Sequence, residues 1–283
     1  MRIDKIQTSG TFKTPLEDIS IQQRICPKLQ LHPASRQTIK YGTVRTQEET
    51  NNVLDHNALQ IYTDGSKQET GECGAAFVIL QRDGRWETRK FKLHHLCKVF
   101  QAEVFAIDCA LAWAQTNPDE SRLQLFCDSQ SCLEAIKDRS NTMPLIVSIH
   151  ERLFQLRLTH SIHFYWIKAH VGIEGNELAD SYAIKAAAPL DDMAFTQCAI
   201  CSVNSQIRSE TAAYWQQEYL NAPNGSTTKT FFQSPEDAKV YTQRFGVSFV
   251  MTQFLTGHGF HKTYLKRFNI VDNDSGVDLC QIL

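Results

Sequence analysis

The amino-acid sequence predicts an α/β fold in which a mixed five-stranded sheet is flanked by helices, with a small helical C-terminal extension. Residues 58–93 hold three runs that alternate apolar and polar side chains as strands do, and residues 99–188 then switch between helical and strand periods. Hairpin-linked strands followed by strand–helix alternation predict antiparallel and parallel pairs in one sheet, with helices covering it.

The predicted elements follow one another in the order βββαβααβα. A change in hydrophobic period, or a turn or proline signal, bounds most of them. The five strands are predicted over 58–64, 74–80, 86–93, 123–127 and 161–167. The four helices are predicted over 99–115, from Ser129 as N-cap, over 145–158 and over 176–188.

Three segments of the chain differ in character. Residues 1–56 are polar and interrupted by prolines, so we expect a poorly ordered leader or linker. Residues 57–188 carry the predicted sheet, and residues 189–283 carry the helical extension, which we expect to be truncated. The helical patterns of that extension lie over 205–220, 240–255 and 260–268.

Composition narrows the class of protein. The 283 residues are 42% hydrophobic and 21% charged with a net charge of −2, which is ordinary for a globular protein and excludes a global basic field. No run approaches the roughly 18 apolar residues of a membrane span, and the N-terminus lacks a signal-peptide core. Nine cysteines, mostly in apolar patterns, indicate reduced thiols in an intracellular protein of the nucleus or cytoplasm.

Two further patterns each leave two interpretations open. The spacing Cys198-x-x-Cys201 suits either a metal ligand pair or core packing, and no second pair at zinc spacing accompanies it. Residues 229–268 hold six Lys or Arg against two acids, with aromatic residues between them. That segment is either an auxiliary nucleic-acid surface or an ordinary amphipathic helical unit.

Four acidic residues lie at places where the pattern predicts burial. They are Asp64, Glu103, Asp128 and Asp180. Asp64 and Asp128 each end an apolar strand, and Glu103 interrupts the apolar face of the 99–115 helix. Asp180 shares a predicted stripe with Asn176, Ile184 and Ala187. Because an unpaired buried carboxylate is costly, the four acids indicate a bound cation, and they suffice for two Mg²⁺ ions in phosphodiester chemistry.

Each acid taken alone also has an ordinary structural explanation. Asp64-Gly65-Ser66 is a common turn, and Asp128-Ser129 is a common start to a helix. The four acids taken together, with their flanking residues, favour the metal site.

At these positions the sequence resembles the type 1 ribonuclease H family. The matching motifs are Thr63-Asp64-Gly65-Ser66, Ala102-Glu103, Asp128-Ser129-Gln130 and the segment from Lys168 to Asp180, with Trp166 before it. The residues of the last motif most resemble those of the ribonuclease H domain of non-LTR retrotransposon polyproteins. The resemblance covers about residues 57–188.

The resemblance implies a metal-dependent endonuclease that cleaves the RNA strand of RNA–DNA hybrids. It implies that Asp64, Glu103, Asp128 and Asp180 ligate two Mg²⁺ ions, with Mn²⁺ as an alternative ion, and that no small-molecule cofactor is needed. The products would carry 5′-phosphate and 3′-hydroxyl ends. His170 matches a mobile-loop histidine that relays a proton or aids product release; its alternative is an exposed loop histidine without a role.

The resemblance also implies the substrate contacts. Ser66, Gln130 and Asn176 stand where the family touches the backbone or 2′-hydroxyls of the hybrid, although each also suits a helix cap. Residues 139–159 hold no lysine cluster, so the basic protrusion of some cellular enzymes is missing. We therefore expect a partner, such as a reverse-transcriptase module, to add affinity.

Two other functions remain open on sequence grounds. One is a catalytically silent retroelement-derived fragment that only binds nucleic acid or protein, which the intact set of four acids argues against. The other is a transposase or integrase of the same fold, in which the last acid normally lacks the His-Val-Gly context found here.

Overall fold

A seven-stranded mixed sheet forms the centre of the first of two compact units, into which the chain divides between Val203 and Asn204. The computed structural model describes residues 20–21, 39–187, 192–259, 262–266, 268–270 and 272. The strands are β1 (Ser20–Ile21), β2 (Tyr41–Val44), β3 (Leu59–Lys67), β4 (Cys73–Leu80), β5 (Trp86–Leu93), β6 (Arg122–Cys127), β7 (Ser161–Ile167), β8 (Met193–Phe195) and β9 (Gln197–Cys198).

The strand order across this sheet is β2-β7-β6-β3-β4-β5-β8. Strands β3, β4 and β5 form two antiparallel hairpins, and β6 and β7 add in parallel beside β3. The predicted α/β fold and all five predicted strands are confirmed. The sheet has two more strands than predicted, because β2 pairs with the free edge of β7 and β8 with the free edge of β5.

Helices cover both faces of the sheet. The helices of the described chain are α1 (Gln47–Val53), α2 (Val99–Thr116), α3 (Gln130–Lys137), α4 (Pro144–Leu156), α5 (Glu174–Ala186), α6 (Ile200–Asn221), α7 (Ser226–Phe231), α8 (Pro235–Phe245), α9 (Phe249–Thr256) and α10 (Lys262–Lys266). Helices α2 and α4 pack on one face, and α5 packs on β3 and β4 from the other.

Strand alternation assigns the core side chains to these two faces. Leu59 and Ile61 of β3 join the larger apolar cluster under α2, whereas Tyr62 points to the α5 side, where it stacks on Phe126 with ring centroids 4.7 Å apart. Because both faces of the sheet are covered, the side chains on both sides of β3 are buried. Residues 59–65 are therefore buried without interruption.

The segment before residue 57 is not uniformly a leader. Strand β2 and helix α1 lie within it, and Thr46 caps α1 by accepting a hydrogen bond from the Glu49 N–H at 3.1 Å. The expectation of poor order therefore fails for residues 39–56. The rest of that prediction falls outside the described residues, except for the two residues of β1, which pair in parallel with β9.

The second unit, from Asn204 onward, is a small helical assembly, as predicted for the extension. Its described part packs around aromatic side chains, with ring centroids 5.2 Å apart for Phe231–Phe254 and 5.5 Å for Phe232–Tyr241. The single helix predicted over 240–255 is wrong: Gly246, at φ +68°, ends α8, and Ser248 caps a new helix. Among the residues that the structure describes, no helix is both long and apolar enough to cross a membrane.

Candidate active site

The place where the parallel pairing of β3 with β6 stops brings the first two acids side by side. Strands β3 and β6 pair from Leu59↔Leu123 to Thr63↔Cys127, and the parallel ladder stops there. Asp64, within β3, and Asp128, directly after β6, are the next residues, so both lie where the parallel pairing of the two segments ends. The expectation that Asp64 ends its strand is wrong, since β3 continues to Lys67 by pairing with β4.

Glu103 reaches the same place from helix α2 because β3 approaches that helix very closely. A Cβ atom on Gly65 would lie 2.2 Å from the backbone nitrogen of Glu103 and 2.5 Å from the carbonyl carbon of Ala102. Only glycine allows this contact. Glu103 is 8% exposed, and its helix buries Ile107, Ala110 and Ala114 on the same stripe, so Glu103 does interrupt an apolar helix face.

Asp180 comes from α5, which is drawn onto the sheet by a second close contact. A Cβ atom on Gly175 would lie 2.3 Å from the ring of Tyr62, so the helix can approach β3 only with glycine at that position. Asp180 itself is half-buried. The predicted stripe of Asn176, Asp180, Ile184 and Ala187 is wrong at Ile184, which is 42% exposed, whereas Ala187 is buried as predicted. Ala179 and Ala183 also belong to the buried face of α5.

The electrostatics of the site link all four acids. Burial, followed by the charges of Asp128 and Asp180, raises the pKa of Asp64 from 3.8 to about 7. Burial also raises the pKa of Glu103 well above its ordinary value, with the charges of Asp64 and Asp128 adding to the effect. The backbone N–H of Gly65 partly offsets both shifts. Like charges gathered in a desolvated place cost free energy that a cation would offset.

The carboxylate donors fit a divalent cation. Glu103 and Asp128 each offer an oxygen to a group of donor atoms that lie within 4.8 Å of one another. The buried Oε2 of Glu103 has no hydrogen-bond partner among the described residues, although a buried carboxylate oxygen normally has one. Hard oxygen ligands of this kind suit Mg²⁺ or Mn²⁺.

The third donor of that group is the sulfur of Cys127. The sequence pattern placed this residue among the buried small hydrophobic side chains, and it is indeed fully buried. Its position directly before Asp128 was the one available signal that its sulfur would also face the site.

Two neighbours hold Asp128 in place. The Nδ2 of Asn176 donates a hydrogen bond to its Oδ2 at 3.2 Å, and the indole Nε1 of Trp166 donates to its backbone carbonyl at 2.8 Å. Burial raises the pKa of Asp128, and the hydrogen bond from Asn176 works against that rise. Asn176 is only 2% exposed, so its visible role in this structure is to orient the Asp128 carboxylate and not to contact a substrate.

The loop that carries His170 borders the site. His170 adopts φ +54° and Gly172 φ +79°, so the chain turns twice through the left-handed region, where a histidine is uncommon. The side chain is exposed, and its charge lowers the pKa of Asp128. A hydrogen bond of 3.1 Å from the Lys168 N–H to the Val44 carbonyl ties the start of the loop to β2.

The remaining predicted substrate residues lie at the rim. Ser66 is half-buried on β3, two residues after Asp64, and Gln130 is exposed as the first residue of α3. Ser129 occupies the predicted N-cap position, but its hydroxyl contacts the Cys132 sulfur at 3.1 Å and makes no cap hydrogen bond.

The part of the chain that holds this site is similar to known proteins. Residues 56–188 match the family model described as RNase H. The chain is also 26% identical over 148 residues to a protein named Ribonuclease HI from Synechocystis sp., an alignment that covers 46% of this chain and 88% of that protein. The match supports ribonuclease H activity, and all four acids lie inside it. Residues 56–188 of this chain thus form an RNase H domain.

Proposed function

We propose that this protein is a metal-dependent endonuclease that cleaves the RNA strand of RNA–DNA hybrids by a two-metal mechanism and leaves 5′-phosphate products. The observation that carries the proposal is the convergence of Asp64, Glu103 and Asp128 with Asp180 in a desolvated site inside an RNase H domain. Mg²⁺ is the proposed ion, with Mn²⁺ as a substitute, because the four carboxylates are hard oxygen donors.

Each residue of the site has a distinct role in this proposal. The four carboxylates hold the cations, which when bound activate water and stabilise the charge on the leaving oxygen. Asn176 and Trp166 keep the Asp128 carboxylate in one orientation. His170, exposed on its loop beside Asp128, moves a proton between the reacting groups and solvent.

Recognition of the hybrid rests on the rim of the site. Ser66 and Gln130 contact its backbone or 2′-hydroxyls, which distinguish RNA from DNA. The Asn176 side chain is buried beside Asp128 in this structure, so it contacts the hybrid only if binding exposes it. We further propose an intracellular location, in nucleus or cytoplasm, a retrotransposon origin and a reverse-transcriptase module that adds affinity.

Cleavage of a labelled RNA–DNA hybrid by the full chain tests the proposal. We expect Mg²⁺-dependent cutting of the RNA strand, with duplex DNA and free RNA of the same sequence left intact. Asp128→Asn should abolish cutting, because it removes a charged ligand without changing the side-chain size. Asp119→Asn is the matched control, since Asp119 is exposed in a turn.

The product ends and the folded state complete the test. Labelling of the new 5′ ends only after phosphatase treatment would identify 5′-phosphates. Circular dichroism must show that Asp128→Asn is folded. If the wild type and this variant are equally inactive with Mg²⁺ and with Mn²⁺, the protein is a silent binding fragment and the proposed function is wrong.

A further inference from the structure

A thiol stands among the carboxylates of the candidate metal centre. The Cys127 sulfur, a Glu103 oxygen and an Asp128 oxygen all lie within 4.8 Å of one another. Cys127 is the last residue of β6 and has no exposed surface. The sulfur is therefore shielded from solvent, whereas Asp128 is half-buried.

The position of this sulfur is fixed by the turn that also positions Asp128. The backbone N–H of Ser129 donates a hydrogen bond to the Cys127 sulfur at 3.3 Å. On the other side of the same turn, Trp166 holds the Asp128 carbonyl. The sulfur and the Asp128 carboxylate thus share one short, braced segment of backbone.

Glu103 supplies the second, independent sign of a ligand. Its side chain is more than nine-tenths buried, and its Oε2 atom has no hydrogen-bond partner among the residues that the structure describes. An unpartnered carboxylate oxygen costs about 1–3 kcal/mol or more unless something binds to it. The sulfur belongs to the same group of donors.

The donor set differs in chemistry from four carboxylates. Mg²⁺ takes oxygen ligands, whereas zinc and cadmium also take thiolate sulfur. Two ligands on one tetrahedral zinc lie about 3.6 Å apart, given bond lengths of roughly 2.3 Å to sulfur and 2.1 Å to oxygen. The present donor atoms lie within 4.8 Å of one another, so binding requires them to draw together by about 1 Å at most, and Glu103 is the donor that must move because hydrogen bonds hold Asp128.

We propose that Cys127 makes this centre a binding site for thiophilic divalent cations such as Zn²⁺ and Cd²⁺, which compete with Mg²⁺ and inhibit the enzyme. The inhibition, unlike the binding, rests on the proposed function. On binding, the S–H bond breaks, the proton passes to solvent and a sulfur–metal bond forms, without oxidation or reduction. The sulfur becomes a ligand only when a cation displaces the thiol proton.

The competing explanation is that Cys127 is merely a small core side chain. It packs in the apolar cluster under α2 together with Leu125 and Cys132. Under that explanation the sulfur never meets a metal, and its replacement changes packing alone. Cadmium distinguishes the two because a sulfur–cadmium bond has its own ultraviolet charge-transfer absorption.

The test is a CdCl₂ titration of the full chain followed by that absorption, for the wild type, Cys127→Ser and Cys109→Ser. Cys109 is a half-buried cysteine of α2, which makes it a matched control. We expect Cys127→Ser to lose one thiolate equivalent of absorption, and Cys109→Ser to lose none at the concentrations that saturate the site. Other buried thiols, such as Cys97 and Cys198, contribute equally to all three proteins.

Two further measurements keep the result decisive. Excess Mg²⁺ should reduce only the absorption that depends on Cys127. Replacement of Cys127 should weaken Cd²⁺ inhibition of hybrid cleavage roughly 10- to 100-fold, which is the loss typical even for a residue that only hydrogen-bonds to a metal ligand. Cys127→Ala, checked by thermal unfolding, replaces the serine variant if that one does not fold. Equal absorption in the wild type and the Cys127 variant would overturn the inference. Cleavage with Mg²⁺ alone tests the proposed function separately, so either can fail without the other.

Discussion

Replacing Asp64 by asparagine should make the metal-free protein more stable. Asp64 is 6% exposed and faces the charges of Asp128 and Asp180, so its ionised form is costly in the fold but not in the unfolded chain. Asparagine keeps the size of the side chain and can still accept the hydrogen bond from the Gly65 N–H. The substitution thus removes the charge and little else.

The magnitude follows from the pKa. A rise in the Asp64 pKa from 3.8 to about 7 corresponds to about 4 kcal/mol, at roughly 1.36 kcal/mol per pH unit. The folded state binds the Asp64 proton more tightly than the unfolded state does. The free energy of unfolding of the wild type therefore falls by this amount as the pH rises from 3.8 to about 7. Above about pH 7 the folded wild type bears the full cost of an ionised Asp64, and Asp64→Asn avoids it. We expect the variant to be more stable by about 2–4 kcal/mol, a range that allows for the cost of burying the new amide group.

Urea unfolding in EDTA, at pH 5 and at pH 8, measures this difference. The gain in the free energy of unfolding should be large at pH 8 and much smaller at pH 5. Asp119→Asn, an exposed substitution of the same type, should give no comparable gain at either pH. If Asp64→Asn is no more stable than the wild type at pH 8, or if its advantage is the same at both values, the carboxylates do not repel one another as argued.

Three further outcomes are expected. Mg²⁺ at 100 times its Kd should raise the free energy of unfolding of the wild type, measured by calorimetry, by about 2.7 kcal/mol. A similar rise in the Asp64→Asn variant would show that Asp64 is not a ligand. Asn176→Ala should lower kcat roughly 10- to 100-fold by freeing the Asp128 carboxylate, whereas an unchanged kcat in the hybrid assay would show that the hydrogen bond is dispensable. Gly65→Ala should destabilise the fold by about 3 kcal/mol in thermal unfolding, because its Cβ would strike the Glu103 backbone; Gly71→Ala, which meets nothing within 4 Å, should cost less despite its φ of +100°.

Patterns of burial made the central elements predictable. Strands β3 to β7 and helix α2 carry strong alternation or helical periodicity because their side chains enter the core, and the structure has them within a few residues of the expected bounds. Glu103 could be placed on the buried face of α2 for the same reason. The site residues follow from that placement, since the acids stand out only against an apolar background.

The remaining features depend on contacts between distant parts of the chain. Strands β2 and β8 are short, and their backbone pairing with β7 and β5 leaves no period in the sequence. The exposure of Ile184 depends on how α5 packs on the sheet, and that packing includes the close contact of Gly175 with Tyr62, which lies far away in the sequence. The role of Cys127 as a donor likewise needs the position of Glu103, which sequence spacing does not supply.

Strand β2 has a practical consequence for any shortened version of this protein. It lies outside the region that matches the RNase H family, yet it covers β7 from Phe164 to Ile167. It also carries Tyr41, whose hydroxyl donates a hydrogen bond to Glu134 of α3 at 2.5 Å. A chain trimmed to residues 56–188 would leave the N–H and C=O groups of β7 open to pairing with another molecule. Such a chain would tend to self-associate edge to edge, with the His170 loop untethered at one end.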